Sequence, residues 1–145
     1  MSKNTIVLKD NNYKCSNISI SLKHKNTYVE DDLRTIIFAL TVTYEDNTIN
    51  DEFVLFSPEI DQINNLTDKL DKIEYAFYEP NISFTVFESI TTDIIFYLNF
   101  DSGLNYSNSP SDSGPSIHLE VDKNTFIAFI NEIKSYLQQE RYNFT

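Results

Sequence analysis

The chain has 145 residues, of which 22 are acidic and 11 are basic, so its formal net charge is −11. This charge argues against binding to nucleic acid or to an anionic membrane, because phosphate contacts require Lys and Arg. Two histidines, one cysteine and no tryptophan provide few side chains for catalysis, whereas a hydrophobic share of 41% suffices for a single domain over residues 1–145.

Alternating apolar and polar residues predict strands in the first third of the chain. Short runs at Thr5–Leu8 and Cys15–Leu22 come first, and Arg34–Tyr44 has the longest alternation. The segment Glu45–Thr48 is typical of a hairpin turn, since Asp and Asn tolerate the backbone angles of turns. The return strand is predicted at Ile49–Phe56.

The alternation of apolar and polar residues ends at Ser57-Pro58. A helix is predicted to begin there, because Ser is a good N-cap and Pro is favoured at the first helical position. Apolar residues then recur at steps of three and four, which predicts an amphipathic helix at about 58–74. These residues are Ile60, Ile63, Leu66, Leu70 and Ile73.

Strand patterns resume at residues 82–86 and 94–100, and a last strand is predicted at Ile117–Val121. The loop before that strand, Asp101–Ser116, is rich in Ser and contains both glycines. Asp122 is predicted to cap a second amphipathic helix at about 123–140. The apolar stripe of this helix consists of Phe126, Phe129, Ile130, Ile133 and Leu137.

The order of strands, helix, strands and helix predicts an α+β domain. We expect a largely antiparallel, curved sheet of about six to seven strands, with the two amphipathic helices packed on one face.

The histidines are not placed like catalytic or metal-binding groups. His118 alternates with the apolar residues of Ile117–Val121, so we expect it to face solvent from a strand. No Cys or His neighbour completes a metal-ligand spacing, and neither glycine forms a phosphate-binding loop. The sequence therefore predicts no enzymatic activity, no metal and no cofactor.

Carboxylates cluster at both ends of the predicted strand Arg34–Tyr44. Glu30–Asp32 precede it, and a second cluster surrounds the hairpin at its other end, about 30 Å away for a strand of about ten residues. We expect the hairpin cluster to bind a partner, with Tyr106 of the Ser-rich loop as an anchor. The predicted contact residues are thus Glu45, Asp46, Asp51, Glu52 and Tyr106.

A segment after the first predicted helix carries a family pattern. Ser57-Pro58 opens that helix, and Tyr78-Glu79-Pro80-Asn81-Ile82-Ser83-Phe84 follows it. The chain in this respect resembles the WapI-type immunity proteins, in which a Glu-Pro-x-apolar-Ser-Phe segment stands at the same place. The order of elements is similar from Asn17 to Glu140, although this chain lacks the tryptophan that family members often carry. The resemblance implies a small partner of a bacterial polymorphic toxin.

The leading hypothesis is an immunity protein that occludes the active site of a toxin, such as a nuclease with a basic groove. One alternative is a phage anti-defence protein that mimics nucleic acid, which would need carboxylates spaced like phosphates. Another is a small-molecule carrier, in which the Phe and Tyr side chains would line a ligand cavity. Competition with DNA or a co-purifying ligand would distinguish these alternatives.

The sequence also predicts a compartment. A transmembrane helix needs an apolar run of about 18 residues or more, and the sequence contains none. The first residues also lack the apolar stretch of a secretory signal. The single cysteine, Cys15, cannot form an internal disulfide, which fits a reducing environment. We therefore expect a cytoplasmic protein that contacts neither membrane nor nucleic acid.

Overall fold

The computed structural model describes residues 5–13, 17–61, 63–64, 73–76, 82–88, 93–100 and 116–138. Within these residues the chain forms eight strands, a short 3-10 turn at Ser57–Glu59 and one complete α-helix. The strands are β1 (Thr5–Lys9), β2 (Ser19–Glu30), β3 (Leu33–Tyr44), β4 (Asn47–Phe56), β5 (Ile73–Ala76), β6 (Ile82–Glu88), β7 (Ile94–Phe100) and β8 (Ser116–Val121), and the helix is α1 (Lys123–Gln138).

The strands form two antiparallel sheets of four strands each, in the orders β1-β2-β3-β4 and β5-β6-β7-β8. Each sheet is a meander, because every strand pairs with the next one along the chain. The β2–β3 and β3–β4 connections are two-residue hairpin loops, since Glu30 pairs with Leu33 and Tyr44 pairs with Asn47. A β-bulge in β2 interrupts the register with β3 between His24 and Asn26.

Both sheets and α1 contribute to one hydrophobic core. Phe53 of β4 and Phe84 of β6 join the two sheets, with their ring centroids 5.5 Å apart. Phe96 of β7 contacts Phe126 of α1 at 5.9 Å, which joins the second sheet to the helix. The alternating burial of β3 and β7 follows from this arrangement, because only one face of each sheet packs inward.

The seven predicted strands all form, and the second predicted helix is confirmed as α1. Asp122 caps this helix as expected, because its Oδ2 accepts hydrogen bonds from the backbone N–H groups of Asn124 and Thr125 at 3.1 and 3.3 Å. The whole predicted apolar stripe of α1 is buried: Phe126, Phe129, Ile130, Ile133 and Leu137.

The predicted helix at 58–74 needs correction. It opens as the 3-10 turn, and residues 60, 61, 63 and 64 are helical, but Ile73 and Glu74 belong to β5. Ser57 does not act as its cap, because the Ser57 hydroxyl accepts a hydrogen bond from the Arg34 backbone N–H at 3.2 Å. The buried Glu59 carboxylate instead accepts from the Phe56 N–H at 3.0 Å. Leu66 and Leu70 lie outside the described residues.

The expectation of a single curved sheet is also wrong. The short strand β5 pairs with β6 and begins a second sheet, which faces the first across the core. The apolar faces of the two sheets and the apolar stripe of α1 pack in one core, so each sheet helps to bury the other.

Candidate functional site

The β3–β4 hairpin places two of the predicted contact residues at its tip. Glu45 and Asp46 form the turn and are exposed. The backbone of Glu45 has a positive φ of 53°, whereas the Asp46 and Asn47 that follow it do not have a positive φ. This conformation is uncommon for a residue other than Gly, Asn or Asp, so the turn stores some strain.

The other two predicted carboxylates do not join this tip. Asp51 and Glu52 are neighbours within β4 and therefore point to opposite faces of the first sheet. Asp51 lies opposite the buried Leu40 on the inward face, and Glu52 forms an ion pair of 3.0 Å with Lys25 on the outward face. The predicted cluster is thus divided, and Tyr106 lies outside the described residues.

A charge on the inward face of β4 has a structural role. β4 is an edge strand of the first sheet, and an unprotected edge can pair with another chain. An inward-pointing carboxylate such as Asp51 opposes that pairing, because a docking strand would desolvate it. The position of Asp51 is therefore explained by protection of the edge strand, and a role in binding another protein is not needed to account for it.

The β2–β3 hairpin has a different tip, and the sequence analysis did not single out its apolar residues. All six residues from Tyr28 to Leu33 are exposed, and three acidic side chains stand between large apolar ones in the order Tyr-Val-Glu-Asp-Asp-Leu. We call these residues the β2–β3 tip. Asp31 and Asp32 form its turn with φ values of 53° and 67°, the pattern of a type I′ turn, which matches the twist of the flanking strands.

A surface pocket of about 520 Å³ lies where the two sheets meet. Its wall brings together residues that are distant in the sequence, because the segment after β1 runs along the edge of β8. The Asn11 N–H donates to the Glu120 carbonyl at 2.9 Å, and the Glu120 N–H donates to Asp10 Oδ1 at 2.8 Å. The lining residues are Asp10, Asn11, Asn12, Ile18, Asp93, His118 and Glu120.

The hydrogen bonds in this pocket explain its polar residues as a junction. Asp10 also accepts from the Asn12 N–H at 3.0 Å, and Asn11 Oδ1 accepts from the Asp122 N–H at 3.1 Å. These side chains complete backbone hydrogen bonding at the edge of β8. The carboxylate of Asp10 is therefore engaged in joining the sheets.

The outward face of the second sheet carries a row of rings. Tyr97 of β7 stacks on its cross-strand partner His118 at 4.8 Å and on Phe87 of β6 at 6.3 Å. His118 is exposed, as its alternation in the sequence predicts. Cross-strand aromatic pairs of this kind stabilise a sheet, so the row has a sufficient structural explanation.

The second histidine belongs to a buried cluster at the end of α1. His24 stacks on Tyr136 with ring centroids 5.0 Å apart, and its Nε2 shares a hydrogen bond with the Thr27 hydroxyl. Arg34 is 1% exposed, and its Nε donates to the Tyr136 carbonyl at 3.1 Å. The Nη2 atom of Arg34 is buried and has no hydrogen-bond partner among the residues that the structure describes.

This environment disfavours the charged form of His24. Burial lowers the pKa of His24, and the positive charge of Arg34 lowers it further, while a hydrogen bond with the Asn26 backbone acts in the opposite direction. Burial and the nearby Glu132 carboxylate raise the pKa of Tyr136, so its hydroxyl stays protonated.

The lowered pKa of His24 predicts a pH-dependent stability. Its contribution is fully present above the unfolded-state pKa of about 6.5 and is lost as the pH falls through that value toward the folded-state pKa. We therefore expect the difference in free energy of unfolding between the wild type and His24→Gln to shrink as the pH is lowered from 7.5 to 5. Urea denaturation at several pH values measures this difference. A difference that stays constant or grows as the pH falls would contradict this prediction.

The apolar cavity that the described residues line between the two sheets is too small for a ligand of drug size. The apolar cavity there has a volume of about 10 Å³, enough for about one water molecule, whereas ligand pockets have about 300–1,000 Å³. It is lined by side chains from both sheets and α1: Ile20, Leu22, Leu40, Phe53, Ile82, Phe84, Phe96, Leu98 and Phe129.

Two absences concern the described part of the chain only. No group of three or more His, Cys, Asp or Glu side chains within it is arranged to hold a metal ion. None of its helices is both long and apolar enough to cross a membrane.

Comparison with protein-family models, with curated proteins and with solved structures gives no significant match for this chain.

Proposed function

We propose that this protein binds a basic protein and inhibits it, as an immunity protein neutralises a toxin domain. The observation that carries the proposal is the excess of exposed carboxylates over cations. The net charge is −11, and within the described residues only two ion pairs bring a carboxylate within 4 Å of a cation. These pairs are Lys25–Glu52 and Lys123–Glu88, and both are at the surface.

Such a surface accelerates encounter with a partner of opposite charge. Nuclease toxins bind their substrates in basic grooves, so a protein that covers the groove with carboxylates blocks the substrate by occupying its place. Inhibition of this kind requires binding and no catalytic group. The small volume of the apolar cavity that described residues line between the sheets favours this function over a small-molecule carrier.

The placement of the carboxylates also favours a protein partner over mimicry of DNA. The acidic tips of the β2–β3 and β3–β4 hairpins lie at opposite ends of β3, which has twelve residues. At the rise of a strand the tips are about 35 Å apart. A mimic needs a row of charges at the spacing of phosphates, about 3.4 Å per charge on each strand.

The proposal is tested by growth of cells that express the C-terminal domain of the protein encoded immediately upstream, with and without this chain. Rescue of growth, together with co-elution of the two proteins, is the expected result. Toxicity without rescue would refute this pairing, and competition of the chain with DNA for a host effector would then support the anti-defence alternative.

Salt dependence tests the electrostatic part of the proposal. We expect the association rate with the toxin domain to fall by about 10- to 100-fold between 20 and 500 mM salt, because long-range attraction is screened. The dissociation rate should change much less. Stopped-flow fluorescence measures both rates, and an association rate that is independent of salt would contradict steering while leaving inhibition intact.

A further inference from the structure

The large apolar side chains that are exposed in the described part of the chain are concentrated at one place. Four large apolar residues of the described chain are exposed: Val7, Tyr28, Val29 and Leu33, with exposed fractions of 46%, 46%, 45% and 37%. Three of them belong to the β2–β3 tip. Contiguous exposed apolar groups at a protein surface mark sites of interaction, whereas single ones need no explanation.

The register shows how these side chains are presented. Tyr28 pairs with Thr35 and Glu30 pairs with Leu33, so Tyr28, Glu30 and Leu33 share the outward face of the hairpin. Tyr28 and Leu33 are diagonal neighbours at about 7–8 Å, close enough to form one apolar surface. Val29 points to the other face, so the apolar surface continues around the tip.

The base of the tip is held firmly. Arg34, the cross-strand partner of Val29, donates its backbone N–H to the Ser57 hydroxyl at 3.2 Å and its Nε to the Tyr136 carbonyl at 3.1 Å. The β2–β3 hairpin is thereby attached to both the 3-10 turn and α1. A binding element that is already ordered loses less conformational entropy when it binds.

We propose that the β2–β3 tip is the element that docks into the protein partner, and that the partner presents an apolar pocket surrounded by Lys and Arg. This proposal rests on the proposed function for the identity of the partner. Tyr28 and Leu33 fill the pocket, and the carboxylates of Glu30, Asp31 and Asp32 pair with the cations at its rim. An aromatic anchor ringed by polar contacts is the usual arrangement of an interaction hot spot.

Charge decides between a foreign partner and a second copy of this chain. Self-association would bring three carboxylates of one tip toward another chain with a net charge of −11. Like charges at an interface oppose binding. A basic partner gains from the same carboxylates.

The β3–β4 tip lacks the apolar half of such a site. Glu45 and Asp46 are exposed, but the adjacent Tyr44 is half-buried and packs against the core, as does Ile49. The structure therefore moves the docking site from the predicted hairpin cluster to the opposite end of β3. The two tips can be compared directly in one experiment.

Two variants separate the apolar and acidic contributions. The first combines Tyr28→Thr, Val29→Thr and Leu33→Thr, which removes the apolar surface with a residue that favours strands. The second combines Glu30→Gln, Asp31→Asn and Asp32→Asn, which removes the charge with Asn at the two positive-φ positions, where Asn is well tolerated. Circular dichroism and thermal unfolding establish that both variants fold.

Two matched controls lie elsewhere on the first sheet. Val7→Thr alters the remaining exposed apolar residue, which pairs with Ser21, nine residues before Glu30 and therefore about 30 Å away. Glu45→Gln with Asp46→Asn removes the charge of the β3–β4 tip. Neither control should change binding by more than about twofold.

The probe is the upstream toxin domain, and binding is measured by titration calorimetry and stopped-flow fluorescence. We expect the apolar variant to weaken binding at least 100-fold and the charge variant to slow association at least tenfold. If the wild type binds the toxin and both tip variants bind equally well, the proposed function stands and the docking proposal is overturned.

If the wild type does not bind the toxin, the proposed function fails for that partner. The β2–β3 tip is then tested by itself with a photo-crosslinking amino acid at position 28, and the same amino acid at position 7 is the control. In a lysate of the native host, the docking proposal is supported by attachment of one identified basic protein at position 28 only, provided that the charge variant abolishes it. Absent attachment, equal attachment at both positions, or attachment to a second copy overturns it.

Discussion

Phe96→Ala is expected to lower the free energy of unfolding by about 3–5 kcal/mol, as for other large aromatic residues truncated in a core. Phe96 is fully buried, and its ring lies 4.9 Å from that of Phe84 and 6.4 Å from that of Phe129. It therefore contacts both its own sheet and α1, and the cavity left by alanine would be shared by two layers. Urea denaturation measures the loss.

Two comparisons make this result specific. Phe96→Leu keeps most of the volume and should cost less than about 1.5 kcal/mol. Tyr28→Ala removes a similar ring from an exposed position and should change stability by no more than about 0.5 kcal/mol. If Phe96→Ala costs no more than Tyr28→Ala, the sheets and α1 do not share the core described above.

The local elements of this fold were predictable where one physical signal dominates. The alternation of Arg34–Tyr44 places Ile36, Phe38 and Leu40 on the buried face, because only one side of β3 meets the core. α1 was predictable because its apolar stripe and its Asp122 cap both indicate the same helix.

Prediction failed where tertiary contacts outweigh a local preference. Ser57 before Pro58 is a good capping sequence, yet its hydroxyl binds the Arg34 N–H, and that partner is 23 residues away. Ile73 fits the helical spacing of the preceding apolar residues, but it lies in β5 and pairs with Val86 of β6. A periodicity argument cannot weigh the hydrogen bonds that a neighbouring strand offers.

The candidate site was predictable only in its chemistry. The sequence shows an acidic protein with carboxylates at both ends of β3, and both hairpins form. Which end also exposes apolar side chains depends on how far β2 extends, and β2 continues to Glu30 past the predicted end at Leu22. The junction of Asp10 with the Glu120 N–H, which spans 110 residues, has no local signal at all.

The charge of Arg34 is not expected to stabilise the fold, although its side chain is buried and hydrogen-bonded. Arg34 is a buried cation, and within the described residues no carboxylate lies within 4 Å of it. Its compensation comes from the Tyr136 carbonyl near the C-terminal end of α1, where the helix dipole favours positive charge by up to about 2 kcal/mol. Desolvation of an ion costs several kcal/mol, and the orphaned Nη2 adds to that cost.

We therefore expect Arg34→Met to keep the free energy of unfolding within about 1 kcal/mol of the wild type, since it fills the space and removes the buried charge. Arg34→Ala should lower it by about 2–4 kcal/mol, because it removes the charge but leaves a cavity. Arg34→Lys should also be destabilising, because an ammonium is hydrated more strongly and lacks the planar fork. Urea denaturation of the three variants ranks these effects. A methionine variant as unstable as the alanine variant would show that the hydrogen bond to Tyr136, rather than the filling of space, is what stabilises the fold at this position.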